Sequence, residues 1–242
     1  MKIREILEDT DHRPWALPTE SWKFYQEWNK VVFLHWAVDF EILKQFVPAN
    51  LELELFEGKP WVSVVIFRME QIRPKTLPSF PPISNFHEVN IRTYAKHGNK
   101  TGVYFLSIEG GNPVSCLVAR KMSQLPYRFS QMQRDHTHFS SYNREFQDQL
   151  AISYQVGKAI TTKTALDLWL TERYALFQDF GQHLNAFEIH HVEWPVYELH
   201  PDELTIQYPR FSALFSFQPD LVHYSPGVQV VAWDKKTTHN FC

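Results

Sequence analysis

Short runs that switch face at every residue, set between turn-forming residues, recur along this chain and restrict its folding more than any other feature. Leu51-Glu52-Leu53-Glu54-Leu55 alternates strictly between apolar and acidic, the period-2 signature of a half-buried strand. Glu57-Gly58 supplies a turn, and residues 61–69 form the hairpin partner. Further strands are predicted at 31–36, 86–96, 102–109, 114–120, within 133–157, and at 187–194, 204–208 and 228–233. His97-Gly98-Asn99-Lys100 and Gly110-Gly111-Asn112-Pro113 carry the turn chemistry such strands need. Helical patterns are confined to a short segment at 40–46, closed by Pro48, and a principal helix at 164–180. Thr164 would cap the latter, Leu166, Trp169, Leu170 and Leu176 would face inward, and Gly181 would end it. The set implies a mainly β (α+β) fold: a closed or nearly closed antiparallel β-barrel with one principal helix.

Residues 1–21 carry Pro14 and Pro18 and read as an extended N-terminal arm, with Trp15 docked on the body; residues 22–242 read as a single domain. Residues 73–83 hold four prolines and form a long loop whose Leu77, Phe80 and Ile83 call for burial against a neighbour or over a cavity mouth. With 44% hydrophobic and 15% aromatic residues the core is well supplied. A net charge of −3 with no basic stripe argues against a nucleic-acid partner. The longest apolar runs fall far short of the ~20 residues of a membrane helix. Two cysteines, Cys116 and Cys242, make no disulfide framework, and the charged N-terminus lacks a secretory pattern. The expectation is a cytoplasmic protein without nucleic-acid or membrane partners.

Candidate chemistry centres on Phe86-His87-Glu88-Val89-Asn90-Ile91-Arg92-Thr93-Tyr94. Residues two apart share a strand face, so Glu88, Asn90, Arg92 and Tyr94 form one polar row. It suits either a solvated sheet or the wall of a pocket, and Glu88 and Arg92 could simply be an ion pair. His136-Thr137-His138 would put two imidazoles on one strand face, but the next acid, Glu145, is too distant for a cupin-type site. Cys116 reads as a small buried hydrophobe in mid-strand. No nucleophile elbow, phosphate loop or dinucleotide fingerprint occurs. No metal and no cofactor are expected.

The same Phe86–Tyr94 stretch precedes Gly102-Val103-Tyr104-Phe105, Ala119-Arg120 and Leu125-Pro126-Tyr127. With His35-Trp36-Ala37-Val38-Asp39, Gly58-Lys59-Pro60-Trp61-Val62, Leu170-Thr171-Glu172-Arg173-Tyr174 and Tyr224-Ser225-Pro226-Gly227-Val228, this order resembles the YqjF-like family of bacterial proteins of unknown function. That family is similar in turn to acetoacetate decarboxylase, which implies a cone-like β-barrel around a substrate cavity. The resemblance puts Glu88 at the decarboxylase's cavity glutamate and retains Arg120. Where the decarboxylase has its Schiff-base lysine and a second lysine, this chain has Tyr127 and Arg128, and Lys121 matches a glutamate. A phenol forms no imine and arginine stays protonated. The decarboxylase's N-terminal arginine has no counterpart in Ala37-Val38-Asp39.

Three readings follow. The first is an enzyme acting on a small carbonyl or carboxylate compound without an imine. Glu88 would be its general base and Tyr127 its hydrogen-bond donor, with Asn90, Arg92, Arg120 and Arg128 binding an anionic substrate. The second is a protein that binds or senses an organic acid without catalysis. The third is an assembly role through barrel-to-barrel contacts in a homo-oligomer. A raised pKa at Glu88 favours the enzyme, and a tight ion pair there favours the others.

Overall fold

A computed structural model describes residues 2–215 and 217–239; Cys242 lies outside the described residues. In chain order the elements are α1 (Ile3–Glu8), β1 (Phe24–Ala37), α2 (Phe40–Lys44), β2 (Glu52–Leu53), β3 (Trp61–Pro74), α3 (Pro81–Ser84), β4 (Phe86–His97) and β5 (Lys100–Gly110). Then come α4 (Pro113–Ser123), β6 (Tyr127–Phe129), β7 (Gln131–Arg134), β8 (His138–Asn143), β9 (Asp148–Ala159), α5 (Ala165–Thr171), β10 (Ala175–Phe180), β11 (His183–His190) and β12 (Tyr197–Gln207). A 3₁₀ turn at Pro209–Leu214, β13 (Leu221–Ala232) and β14 (Lys236–His239) complete the chain.

The mainly β expectation is met. One sheet runs β14-β11-β10-β5-β4-β3-β1-β13-β12-β9-β8-β7, and an extra pairing of β11 with β13 closes part of it into a ring. The ring is mixed, because β10 lies parallel to β5, so it departs from a regular antiparallel barrel. Alternation along β1 and β3 divides the core. Val32, Leu34, Val62, Val64 and Ile66 point outward against Phe139, Leu150 and Ile152 of β8 and β9. Val31, Phe33, Val65 and Phe67 point into the ring, where they meet Ile108, Cys116, Tyr127 and Val230. These two apolar layers hold the sheet between them, and each fully buried aliphatic side chain contributes about 1.5–3 kcal/mol.

Four local expectations are corrected. Residues 114–120 are helical, not a strand: Asn112 accepts hydrogen bonds from the Val114 and Ser115 amides, Pro113 opens the first turn, and Gln124 closes α4 at φ 63°. Cys116 therefore sits on a helix. The principal helix at 164–180 shrinks to Ala165–Thr171, closed at its start by reciprocal Thr164 and Asp167 hydrogen bonds. Residues 175–180 instead enter the sheet as β10. The arm is not wholly extended, since α1 buries Ile6 completely. Trp15 does dock on the body, donating its indole N–H to Glu188 at 2.9 Å. In the proline-rich stretch, Leu77 and Phe80 stay 58% and 60% exposed, so the expected burial of the loop is not seen. Asn112 and Ser115 of the α4 start hold it through the Pro82 and Ile83 carbonyls. No helix among the described residues is long and apolar enough to cross a membrane.

Candidate functional site

The polar row on β4 faces into the ring. Its outward neighbours Val89 and Ile91 join the outer apolar layer, so period-2 geometry aims Glu88, Asn90, Arg92 and Tyr94 inward. Glu88 is 2% exposed. Its Oε2 accepts the Tyr127 hydroxyl at 2.8 Å and its Oε1 accepts from Asn90 Nδ2 at 3.2 Å. Burial pushes the Glu88 carboxyl up to about 7, against the opposing pull of those two hydrogen bonds. Tyr127, buried beside that carboxyl, is driven well above the ordinary phenol value and keeps its proton. It reaches Glu88 because β6 lies parallel to β5, with Tyr127 opposite Ile108.

Arg92 lies farther along the same face. One terminal nitrogen donates to the Leu170 carbonyl at 3.3 Å, and the guanidinium carbon lies 5.8 Å from the Phe33 ring centroid. Its Nε is buried without a partner, as is Asn90 Oδ1. Among the described residues no carboxylate pairs with Arg92. The nearby Glu54 is taken by Arg173, whose own charge also faces Arg92. An isolated buried cation is costly, and burial lowers the Arg92 pKa accordingly. The Glu88–Arg92 ion pair considered from sequence is therefore absent among these contacts.

A hydrogen-bonded chain that carries no sequence signal ends beside Arg92. Asp167 Oδ1 lies 2.9 Å from His223 Nε2, His223 Nδ1 lies 3.3 Å from His35 Nε2, and His35 Nδ1 lies 2.6 Å from Ser63 Oγ. Ser63 Oγ is 2.6 Å from the Tyr94 hydroxyl, which also lies 3.0 Å from the Leu170 carbonyl. Burial holds both imidazoles below their ordinary value, in His35 with help from the charges of His223 and Arg92. With both imidazoles neutral, the acceptor-only carboxylate of Asp167 would set the direction of the chain. His223 Nε2–H would then donate to Asp167, His35 Nε2–H to His223 Nδ1, and Ser63 to His35 Nδ1. His35, Ser63 and His223 come from three strands, brought together by the register His35↔Ser63 and Phe33↔His223.

Arg120 and Arg128, expected at the same site, are not brought to it. Arg120 is exposed on α4. Arg128 follows Tyr127 on β6 and so takes the opposite face, over the Phe146 ring at 4.4 Å and near Ser107 Oγ at 3.4 Å. There it stands with Arg210 and Asp148, 2.6 Å apart, and with Glu109, whose carboxyl burial raises to about 7. An enclosed pocket was also expected at Glu88. Two concave sites lie elsewhere: a cleft of about 240 Å³ at Lys30, Arg68, His87 and Arg134, and one of about 740 Å³ along β7, β8 and β9. His136 and Thr137 occupy the bend between β7 and β8, so the strand-face pair of imidazoles does not form.

Residues 25–229 match a family model described as an uncharacterized conserved protein, DUF2071. The chain belongs to the DUF2071 family. Uncharacterized protein YqjF of Bacillus subtilis strain 168 is 34% identical over 186 residues, covering 74% of this chain and 77% of YqjF. Among solved structures, this DUF2071 protein is similar to the enduracididine biosynthesis enzyme MppR complexed with pyruvate, at TM-score 0.62 and 14% identity, covering 93% of both chains. An acetoacetate decarboxylase-like enzyme from Sphingomonas wittichii RW1 matches at TM-score 0.62 and 14% identity, covering 94% of this chain and 97% of that one. Acetoacetate decarboxylase from Legionella pneumophila matches at 0.61 and 12%, covering 96% and 94%. At these identities the likeness shows the acetoacetate decarboxylase-like fold.

Proposed function

We propose that this DUF2071 protein is an enzyme that binds a small carbonyl-bearing carboxylate inside the ring and moves a proton without forming an imine. One observation carries the reading: Arg92 is a buried cation with an unpaired Nε and no carboxylate of its own. An anionic ligand would supply the missing countercharge through charge-assisted hydrogen bonds. Glu88, on the same face, has the pKa of about 7 that suits a general base near neutral pH. Tyr127 remains a phenol and can donate to an oxygen that gains charge. No lysine stands among the buried residues described, and that supports chemistry without a Schiff base. A ligand would enter by displacing side chains, since Glu88 is 2% exposed.

Pyruvate in deuterium oxide is the direct test, because enolisation exchanges its methyl protons. The protein should accelerate that exchange, and Glu88→Gln should remove most of the acceleration. Borohydride added with pyruvate should leave the intact mass unchanged. Saturable pyruvate binding with no exchange would instead favour an organic-acid binding protein, and a borohydride-trapped lysine adduct would overturn the imine-free mechanism.

A further inference from the structure

On the opposite face of β4 from Glu88, the 240 Å³ cleft gathers Lys30, Arg68, His87, Arg134, Asp135 and His136. We propose that it is a second, separate site, which binds a phosphate dianion.

Each cation reaches the cleft from a different strand. Arg68 of β3 is the register partner of His87 on β4. Lys30 lies where the β1–β3 pairing slips between Asn29 and Val32, with φ 54°, a left-handed conformation uncommon for lysine. Arg134 ends β7. One of its terminal nitrogens donates to the Tyr154 hydroxyl at 2.8 Å, while its Nε and other terminal nitrogen are buried without partners. His87 Nδ1 is likewise buried and unpaired. Buried polar atoms of this kind call for a partner, and a bound anion would supply one to the Arg134 donors.

Of the two acids nearby, Asp135 caps the bend that follows it, and Glu70 pairs with Arg68 itself. Asp135 Oδ1 accepts the Thr137 and His138 amides at 3.0 and 2.8 Å, which keeps its carboxyl below the usual range. Glu70 accepts from Arg68 Nε at 2.9 Å and Asn29 at 2.8 Å. Lys30 and Arg134, which no carboxylate pairs among the described residues, converge from separate strands on the Glu70-paired Arg68, and donors from three directions fit a dianion with three terminal oxygens better than a planar carboxylate, which one guanidinium can satisfy. The imidazole of His87 senses the same charges. Burial, then Arg134, Arg68 and Lys30, lower its pKa to about 4, with Glu70 opposing.

Inorganic phosphate titrated into the full chain, followed through the ¹⁵N-labelled ring of His87, tests the proposal. Loss of the assigned signal in His87→Gln identifies that ring. Phosphate should saturate the His87 response and move its titration upward in pH, because a bound anion offsets the three cations. Arg134→Gln should weaken phosphate by about tenfold or more. Lys30→Gly should weaken it while leaving thermal stability equal or higher, because glycine adopts this backbone freely. It carries the test if Arg134→Gln fails to fold. Acetate matching phosphate in affinity, no saturation, or phosphate affinity unchanged in Lys30→Gly would overturn the proposal.

Discussion

Glu88 is the residue whose protonation ties the site to stability. Its folded-state pKa of about 7 lies above the ordinary value of 4.5. The folded chain thus keeps a proton that the unfolded chain releases as pH rises through the window between them. Stability contributed at this position is present below pH ~4.5, falls as pH rises, and levels off above pH ~7. The shift corresponds to about 3 kcal/mol. Glu88→Gln should therefore gain on the natural protein between pH 5 and pH 8, by up to that amount, in denaturant unfolding. A pH-independent difference would show that burial does not hold the proton. Strand alternation made the row Glu88, Asn90, Arg92, Tyr94 legible in sequence, and family resemblance added Tyr127. Nothing in spacing could mark His35, Ser63, His223 and Asp167, which depend on register between strands far apart in the chain.

At the scale of elements, α4 was hidden by its composition. Val114 and Val118 favour a strand by propensity, yet the Asn112-Pro113 start outweighs them through capping. The reverse happened at 175–180, where apolar spacing mimicked a helix and pairing with β11 won. Helix α4 packs against β5 at Gly110, where a Cβ would stand 2.6 Å from Cys116 Sγ. Gly110→Ala should lower stability by about 1–3 kcal/mol through overpacking. Adding Cys116→Ala should restore most of it, since the obstructing sulfur is removed. Equal melting temperatures for Gly110→Ala and the natural chain would contradict the close approach.

Across the whole molecule, the ring closes through a short pairing, Ile189↔Ala232 and His190↔Val231. The N-terminal arm clamps that seam: Arg13 donates to the Ile189 carbonyl at 2.6 Å and to Glu188 at 2.9 Å, and His190 Nε2 lies 2.8 Å from the Ile6 carbonyl. Removing residues 1–21 should lower the melting temperature and speed amide exchange at Ile189 and His190 before the β3–β4 pairing is affected. Uniform loss of protection would show that the arm does not act locally. The closed ring also buries Arg92 with no carboxylate paired to it among the described residues, and the proposed anion binding rests on that isolation. Calorimetric titration of pyruvate into the natural protein and into Arg92→Met, with the stability of each recorded, tests it most directly. The account predicts that Arg92→Met weakens pyruvate by about ten- to a hundredfold, the worth of a charge-assisted hydrogen bond, while the fold is as stable or more so, because an uncompensated buried charge has gone. A variant that unfolds, or one that binds pyruvate as the natural protein does, would contradict it.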